Sequence, residues 1–121
     1  MTRHLALGEA GEEIAANYLR NKGLKIVDRR VRCGRGELDL VARDGKEWVF
    51  VEVKTRSTRR MGSAAEAFTP RKTGRMKKAV EEYVRLHDLY ESAIRCDLVA
   101  IDFNEDGLPE ITHFSGCLTW T

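Results

Sequence analysis

Apolar side chains recur at helical spacing in two segments of the chain. The first segment, residues 5–22, is predicted to be a helix that ends at Gly23, and its apolar repeat is Leu7, Ala10, Ile14 and Tyr18. The second segment, residues 75–91, predicts a helix whose buried stripe is Met76, Ala79, Val80, Tyr83, Val84, Leu86 and Tyr90. A short helical turn at 63–68 is expected to end before Pro70.

Five other segments have the apolar and aromatic content of β-strands. They are residues 25–32, 37–43, 46–54, 94–103 and 108–114. Asp44-Gly45 joins the second and third segments and is a strong signal for a two-residue hairpin loop. The chain has 121 residues and no internal repeat, so we expect one domain over residues 1–121.

The predicted hairpin loop determines which side chains share a face of the two strands. It places Glu37 opposite Glu52, with Asp39 diagonal to Glu52. One face then carries Leu38, Leu40, Val49, Val51 and Val53. The other face carries Glu37, Asp39, Trp48, Phe50, Glu52 and Lys54. A slip by one residue would move Asp39 among the valines, so the alternation of side chains supports this assignment of faces.

Acidic side chains that face each other destabilise a sheet unless a cation compensates them. Two interpretations fit the spacing. Either Lys54 and nearby arginines neutralise the acids in an ordinary salt-bridge cluster, or a divalent cation bridges Asp39 and Glu52, since Mg²⁺ prefers oxygen ligands. Glu12 is a further acid on the first helix, in a stripe of apolar and small residues. Its carboxylate either turns toward the sheet or extends to water.

The net charge of +2 conceals one strongly basic segment. Residues 54–78 contain nine basic residues and a single acid, Glu66, whereas the rest of the chain sums to −6. Such a segment indicates either a docking surface for a polyanion or a solvated loop and helix face. Residues 56–64 lack periodicity and are expected to form a mobile loop. The candidate nucleic-acid contacts are Arg56, Arg59, Arg60, Arg71, Lys72, Arg75, Lys77 and Lys78.

Several function classes are disfavoured by composition. Cys33, Cys96 and Cys117 are far apart and form no C-x-x-C pair, so we expect buried free thiols of a reducing cytoplasm rather than a zinc site. The N-terminal segment carries Glu9, Glu12 and Glu13 and lacks an apolar run, so no signal peptide is expected. No stretch approaches the length of a membrane span, so we expect no membrane partner.

The acidic strand residues resemble the PD-(D/E)xK signature of nucleases with the restriction-endonuclease-like fold. Here the signature reads Leu38-Asp39, followed thirteen residues later by Glu52-Val53-Lys54, with Leu38 in place of the usual proline. A closer resemblance, over almost the whole chain, is to the bacterial YraN family, which is uncharacterised and similar to archaeal Holliday junction resolvases. It rests on Gly8-x-x-Gly11-Glu12-x-x-Ala15, Arg35-Gly36-Glu37-Leu38-Asp39-Leu40-Val41, Val49-Phe50-Val51-Glu52-Val53-Lys54-Thr55-Arg56, Lys72 and Arg95-x-Asp97.

The resemblance implies an α/β fold with a central mixed sheet of about five strands flanked by helices. It implies that Asp39 and Glu52 ligate Mg²⁺ or Mn²⁺ with the Val53 carbonyl, and that Glu12 completes the site. Lys54 would orient or activate the attacking water. The role of Glu37 is left open between the site and its support. The roles of Lys72 and Arg95 are also open, and Asp97 is either a site residue or the structural partner of Arg95.

Three functions follow as hypotheses. The first is metal-dependent hydrolysis of DNA phosphodiesters, with branched or junction DNA in recombination or repair as the implied substrate and a homodimer expected by analogy. The second is a nucleic-acid-binding protein that does not cut and acts as a structural partner in DNA processing. The third is a structural partner-binding protein in which Trp48, Phe50 and Trp120 form an interface. We expect Phe50 to belong to the core instead.

Overall fold

The computed structural model describes residues 3–57, 62–67 and 70–118, and side chains within 9–57, 62–66 and 73–118. The elements in chain order are helix α1 (Arg3–Asn21), strands β1 (Lys25–Cys33), β2 (Gly36–Asp44) and β3 (Glu47–Arg56), a 3₁₀ turn (Ala65–Ala67), helix α2 (Pro70–Leu86), and strands β4 (Ile94–Phe103) and β5 (Pro109–Phe114).

The five strands form one mixed sheet in the order β1-β2-β3-β4-β5. Neighbouring strands run antiparallel except β3 and β4, which are parallel and are connected through α2. A parallel pair needs such a crossover connection. The predicted mixed sheet of about five strands flanked by helices is confirmed, and it is consistent with a restriction-endonuclease-like fold.

Each face of the sheet has its own apolar core. On one face Ala15, Ala16 and Leu19 of α1 pack on Val49 and Val51, among others. The buried positions of α1 therefore lie on the stripe that contains Glu12. The apolar repeat used to predict the helix lies at the edge of this core, since Ile14 and Tyr18 are partly buried against it and Ala10 is exposed.

On the other face of the sheet α2 packs against Leu38, Val41, Phe50 and Cys96. Phe50 is fully buried, as expected for a core residue. Trp48 is partly buried against the same cluster, and Trp120 lies outside the described residues.

Helix α2 begins and ends five residues earlier than predicted. Pro70 is its first residue, a position that proline favours because the missing N–H has no partner there. The helix ends at Leu86, and Asp88 then adopts a left-handed φ of 51°. Leu86 and Tyr90 are 57% and 67% exposed, so their predicted burial is wrong. The other five residues of the predicted stripe are buried.

The hairpin between β2 and β3 has a different register from the predicted one. Its loop is Gly45-Lys46, and Leu40 pairs with Val51 rather than with Val49. Gly45 has φ 61°, whereas Lys46 is not in the left-handed region, a pattern that places glycine first in the loop. The shift is two residues, so the faces of β3 are as predicted, but Glu37 does not oppose Glu52.

Leu38 lies on the other face from the predicted one. It packs in the α2 core with Val41 and Phe50, whereas Leu40 packs in the α1 core. Arg29 pairs with Leu40 and Val31 with Leu38, so Arg30 and Asp39 lie between two paired positions. Arg30 there has a left-handed φ of 49°. This local irregularity interrupts the strict alternation on which the prediction depended.

Candidate functional site

Asp39 and Glu52 lie side by side at the point where the pairing of β2 and β3 ends. The last pair of this ladder is Leu40 and Val51, and Asp39 and Glu52 are the next residues of the two strands. The Oδ2 atom of Asp39 accepts a hydrogen bond of 2.8 Å from the backbone N–H of Val53. The Asp39 side chain therefore replaces a backbone acceptor for the next N–H of β3. This hydrogen bond holds the Asp39 carboxyl against β3.

Glu52 and Lys54 are two residues apart on β3 and point to the α2 face. The Nζ atom of Lys54 lies 2.9 Å from Oε1 of Glu52, and both side chains are largely shielded from solvent. They line a cavity of about 220 Å³ together with Glu37, Arg75 of α2 and Arg35. Asp39 does not line this cavity, although its carboxyl interacts electrostatically with Glu52.

The carboxyl of Asp39 is held in an unfavourable environment for charge. Burial, followed by the neighbouring charge of Glu52, raises its pKa to about 8. The Val53 N–H and the Lys54 ammonium act in the opposite direction but do not compensate. A strongly raised pKa in a group of convergent charged residues is typical of functional sites.

Glu12 turns toward the sheet rather than toward open water. Its side chain is 17% exposed, and Oε1 accepts a 2.6 Å hydrogen bond from Nε of Arg30 on β1. Its charge also contributes to the raised pKa of Asp39. The structure thus brings Glu12 into electrostatic range of Asp39, with Arg30 as its partner.

A glycine allows α1 to approach β3 at this point. A Cβ atom added at Gly11 would lie 2.1 Å from Cγ2 of Thr55, which is far inside van der Waals contact. Gly11 precedes Glu12, and Thr55 follows Lys54. The close approach therefore sets the distance between the first-helix acid and the Glu-x-Lys segment of β3.

The candidate nucleic-acid contacts are only partly described. Arg75 and Lys78 are exposed on α2, and Lys77 is partly buried. Arg56 is partly buried, and its Nε has no hydrogen-bond partner among the described residues. Arg71 and Lys72 belong to the first turn of α2, but their side chains are outside the described part of the chain. Arg59 and Arg60 lie outside the described residues altogether.

The donor set suits a hard divalent cation with few protein ligands. No group of three or more His, Cys, Asp or Glu side chains among the described residues is arranged to hold a metal ion. Mg²⁺ is commonly bound by one or two carboxylates, with waters and substrate phosphates completing its shell. Asp39 and Glu52 supply two carboxylates whose mutual repulsion a cation would relieve. These residues therefore fit Mg²⁺ or Mn²⁺.

Arg95 and Asp97 belong to a separate structural network. Asp97 is completely buried and accepts hydrogen bonds from His113 Nε2 at 2.8 Å, Gly116 N at 2.9 Å and Arg95 Nε at 3.2 Å. Arg95 also contacts Asp44 and Glu47 at the hairpin. Of the two interpretations of Asp97, the structural partner of Arg95 is the one that these contacts support.

Two arginines near the acids were missed by the sequence reasoning. The sequence predicts Arg30 only as a strand residue, and Arg35 lies outside the basic segment 54–78. Arg35 lies between Gly34 and Gly36 in the β1–β2 turn, and this glycine-flanked position was the sequence signal that could have indicated it.

None of the helices in the described part of the chain has the length and apolar character needed to cross a membrane.

Comparison with known proteins gives the family of this chain. Residues 11–101 match the family described as "Uncharacterised protein family UPF0102". A UPF0102 protein of Shewanella woodyi is 45% identical over 98 residues, covering 81% of this chain and 83% of that protein. One from Syntrophomonas wolfei is 49% identical over 107 residues, covering 88% and 92%.

Among solved structures, Pyrococcus furiosus SfsA in complex with Ca²⁺ matches with a TM-score of 0.38 and 19% identity. The match covers 93% of this chain and 63% of that chain. This similarity is too low to indicate a shared activity. The family assignment rests on the sequence relatives, and the chain belongs to the UPF0102 family.

Proposed function

We propose that this protein is a metal-dependent endonuclease that hydrolyses phosphodiester bonds of DNA. One observation carries the proposal above the others. A carboxyl whose pKa is raised to about 8 lies beside Glu52, and Glu52 contacts Lys54 at the edge of a cavity with arginines. A buried ordinary salt bridge would lower the pKa of the acid. The pKa of Asp39 is instead raised, first by burial and then by the charge of Glu52, and Lys54 does not compensate these effects.

The roles of the residues follow from their positions. Asp39 and Glu52 would hold the cation, with the Val53 N–H fixing the orientation of the Asp39 carboxyl. When bound, Mg²⁺ or Mn²⁺ polarises the phosphate and lowers the pKa of a coordinated water. Lys54 would place its ammonium beside the phosphate, where negative charge grows in the transition state. Glu12 would add its carboxylate from α1, and Glu37 lies at the rim of the same cavity.

Substrate binding would rest on charge rather than on base recognition. Arg75 and Lys78 on α2, with the basic residues between β3 and α2, would contact the phosphate backbone. Such contacts give affinity with little sequence preference and a strong dependence on salt. Branched or junction DNA and a homodimer are part of the proposal because resolvases act on paired strands.

The test is a cleavage screen with branched, duplex and single-stranded DNA, and with matching RNA, in Mg²⁺ and in Mn²⁺. We expect at least one DNA substrate to be cleaved, and we expect this cleavage to require the metal. Asp39→Ala should abolish this cleavage and retain DNA binding. Equal cleavage by a pure Asp39→Ala preparation would show that another site, or a contaminant, cuts the DNA.

A specific observation also favours a DNA-binding protein that does not cut. Lys54 already contacts Glu52, and Arg30 already contacts Glu12, so protein cations partly compensate the acids. On this interpretation the pairs are permanent and the metal is dispensable. DNA binding that is insensitive to Mn²⁺, together with no cleavage in the screen, would favour the second function over the first.

A further inference from the structure

Two arginines from different elements lie at the boundary between two adjoining cavities. Arg35 is in the turn between β1 and β2, and Arg75 is in the second turn of α2. Both line the 220 Å³ cavity that contains Glu52 and Lys54. Both also line a larger cavity of about 690 Å³, which extends along α2 to Lys78.

The backbone brings these two arginines together. A Cβ atom added at Gly36 would lie 3.1 Å from Cβ of Ala79 and 3.5 Å from the carbonyl oxygen of Arg75. The start of β2 therefore touches α2 at the residue next to Arg35. Because the contact is between backbone and short side chains, the positions from which Arg35 and Arg75 extend are fixed by the fold.

Neither of these arginines has an acidic partner within the part of the chain that the structure describes. Four described arginines, Arg29, Arg30, Arg85 and Arg95, do contact a carboxylate. Arg35 and Arg75 are both exposed. Glu37 and Glu52 also line the smaller cavity and Glu82 the larger one, but none of them is paired with Arg35 or Arg75. Two unpaired arginines that line the same cavities are available to an anion, and phosphate is the anion whose geometry suits arginine.

We propose that Arg35 and Arg75 form a phosphate subsite for the phosphodiester next to the one positioned at Asp39 and Glu52. The proposal rests on the proposed function for the location of the reacting phosphate. The substrate strand would run from the smaller cavity, between the two arginines, into the larger cavity toward Lys78. This subsite would determine the path of the strand and would contribute binding rather than chemistry.

The test is binding of short fluorescein-labelled DNA in EDTA, which separates affinity from cleavage. The double variant R35Q/R75Q should bind about tenfold or more weakly, because it loses two charge-assisted contacts to the phosphate. The dependence of log affinity on log salt should become shallower by roughly two. The control variant R20Q/K25Q removes two exposed cations elsewhere and should bind like the parent. R35K/R75K should restore the salt dependence but only part of the affinity.

A set of DNA probes, each with one neutral methylphosphonate, locates the subsite. In the parent, a methylphosphonate at one position next to the reacting phosphate should weaken binding. In R35Q/R75Q the same probe should bind as well as unmodified DNA. Equal binding by R35Q/R75Q and the control, or an unchanged penalty pattern, would overturn the subsite. Circular dichroism melting of each variant verifies the fold. Failure of the cleavage screen with a positive binding result would reject the nuclease function and leave the anion site supported.

Discussion

Glu12 and Arg30 form a short ion pair, with Oε1 of Glu12 2.6 Å from Nε of Arg30. The pair links α1 to β1, and it raises the pKa of Arg30 above its usual value. Arg30 adopts φ 49°, a conformation that is uncommon for residues other than glycine. A residue held in such a conformation often serves a site. Here it directs a cation toward Glu12, the α1 acid whose charge contributes to the raised pKa of Asp39.

Removing the Arg30 cation should increase the uncompensated negative charge near Asp39. In Arg30→Gln, Glu12 keeps its charge near Asp39 without a partner, so the protein should unfold at a lower urea concentration. Mg²⁺ should recover more stability in this variant than in the parent, because it supplies the missing charge. The measurement is the urea midpoint with Mg²⁺ and with EDTA.

Arg29→Gln is the matched control for Arg30→Gln. Arg29 also forms a 2.6 Å pair with an α1 acid, but its partner Glu13 is 54% exposed and has no described interaction with Asp39. We expect the midpoint of Arg29→Gln to respond to Mg²⁺ as the parent does. An equal Mg²⁺ response in both variants would contradict the proposed link between Glu12 and the Asp39 site.

The raised pKa of Asp39 predicts a stability that falls as pH increases. Its folded-state pKa is about 8, well above the unfolded value of about 3.9. Between these values the folded protein retains a proton that the unfolded chain has lost. The free energy of unfolding should therefore decrease by up to about 1.4 kcal/mol per pH unit in this window. Urea unfolding in EDTA over this range measures the slope.

Asp39→Asn should remove that slope while it keeps an oxygen to accept the Val53 N–H. The variant should be more stable than the parent near pH 8, where half of the Asp39 carboxyls are ionised. Glu52→Gln should shorten the pH range of the slope by lowering the pKa of Asp39, since the Glu52 charge is the second cause of the shift. If Asp39→Asn were no more stable than the parent near pH 8, the pKa of the Asp39 carboxyl would not be raised.

The contact between α1 and β3 can be tested by overpacking. Gly11→Ala would place Cβ against Cγ2 of Thr55, and overpacking of this kind costs about 1–3 kcal/mol. Thr55→Ser removes that methyl group, so Gly11→Ala/Thr55→Ser should recover most of the loss. A double-mutant cycle by urea unfolding measures the coupling. Independent effects of the two substitutions would mean that the helix can shift without cost.

Asp97 should contribute to the stability of the fold rather than to the cleavage reaction. Asp97→Ala leaves the partly buried ring of His113 and the backbone N–H of Gly116 without their acceptor, whereas Arg95 keeps its contacts with Asp44 and Glu47. An unsatisfied buried polar group costs about 1–3 kcal/mol. The free energy of unfolding of Asp97→Ala tests this. A loss below about 1 kcal/mol, combined with loss of cleavage, would instead place Asp97 in the reaction.

The sequence predicted most strand limits and the side-chain faces of β3, because period-2 alternation is a strong signal where one face is buried. The sequence predicts the wrong hairpin register because Asp44-Gly45 is the expected loop, whereas Gly45 is the first loop residue in the structure. A shift of two residues preserves the faces, so the grouping of Glu52 with Lys54 did not depend on this error.

Long-range pairings limited what could be predicted about the site. The face of Leu38 goes with the irregular pairing around Arg30, whose φ is left-handed and whose side chain contacts Glu12 of α1. In the same way, Arg35 and Arg75 line the same cavities because Gly36 lets two distant segments touch. His113 and Gly116 join Asp97 through β5, far along the chain. No periodicity in one segment reports such contacts.

The central claim is that Asp39 and Glu52 share a divalent cation, and calorimetric titration with Mn²⁺ near pH 8 tests it most directly. The parent should bind Mn²⁺ at no more than millimolar concentrations, and Asp39→Asn and Glu52→Gln should each bind it at least about tenfold more weakly, the scale of a 1.4 kcal/mol loss. Absence of binding in the parent at millimolar metal, or equal binding in the parent and both variants, would contradict the account.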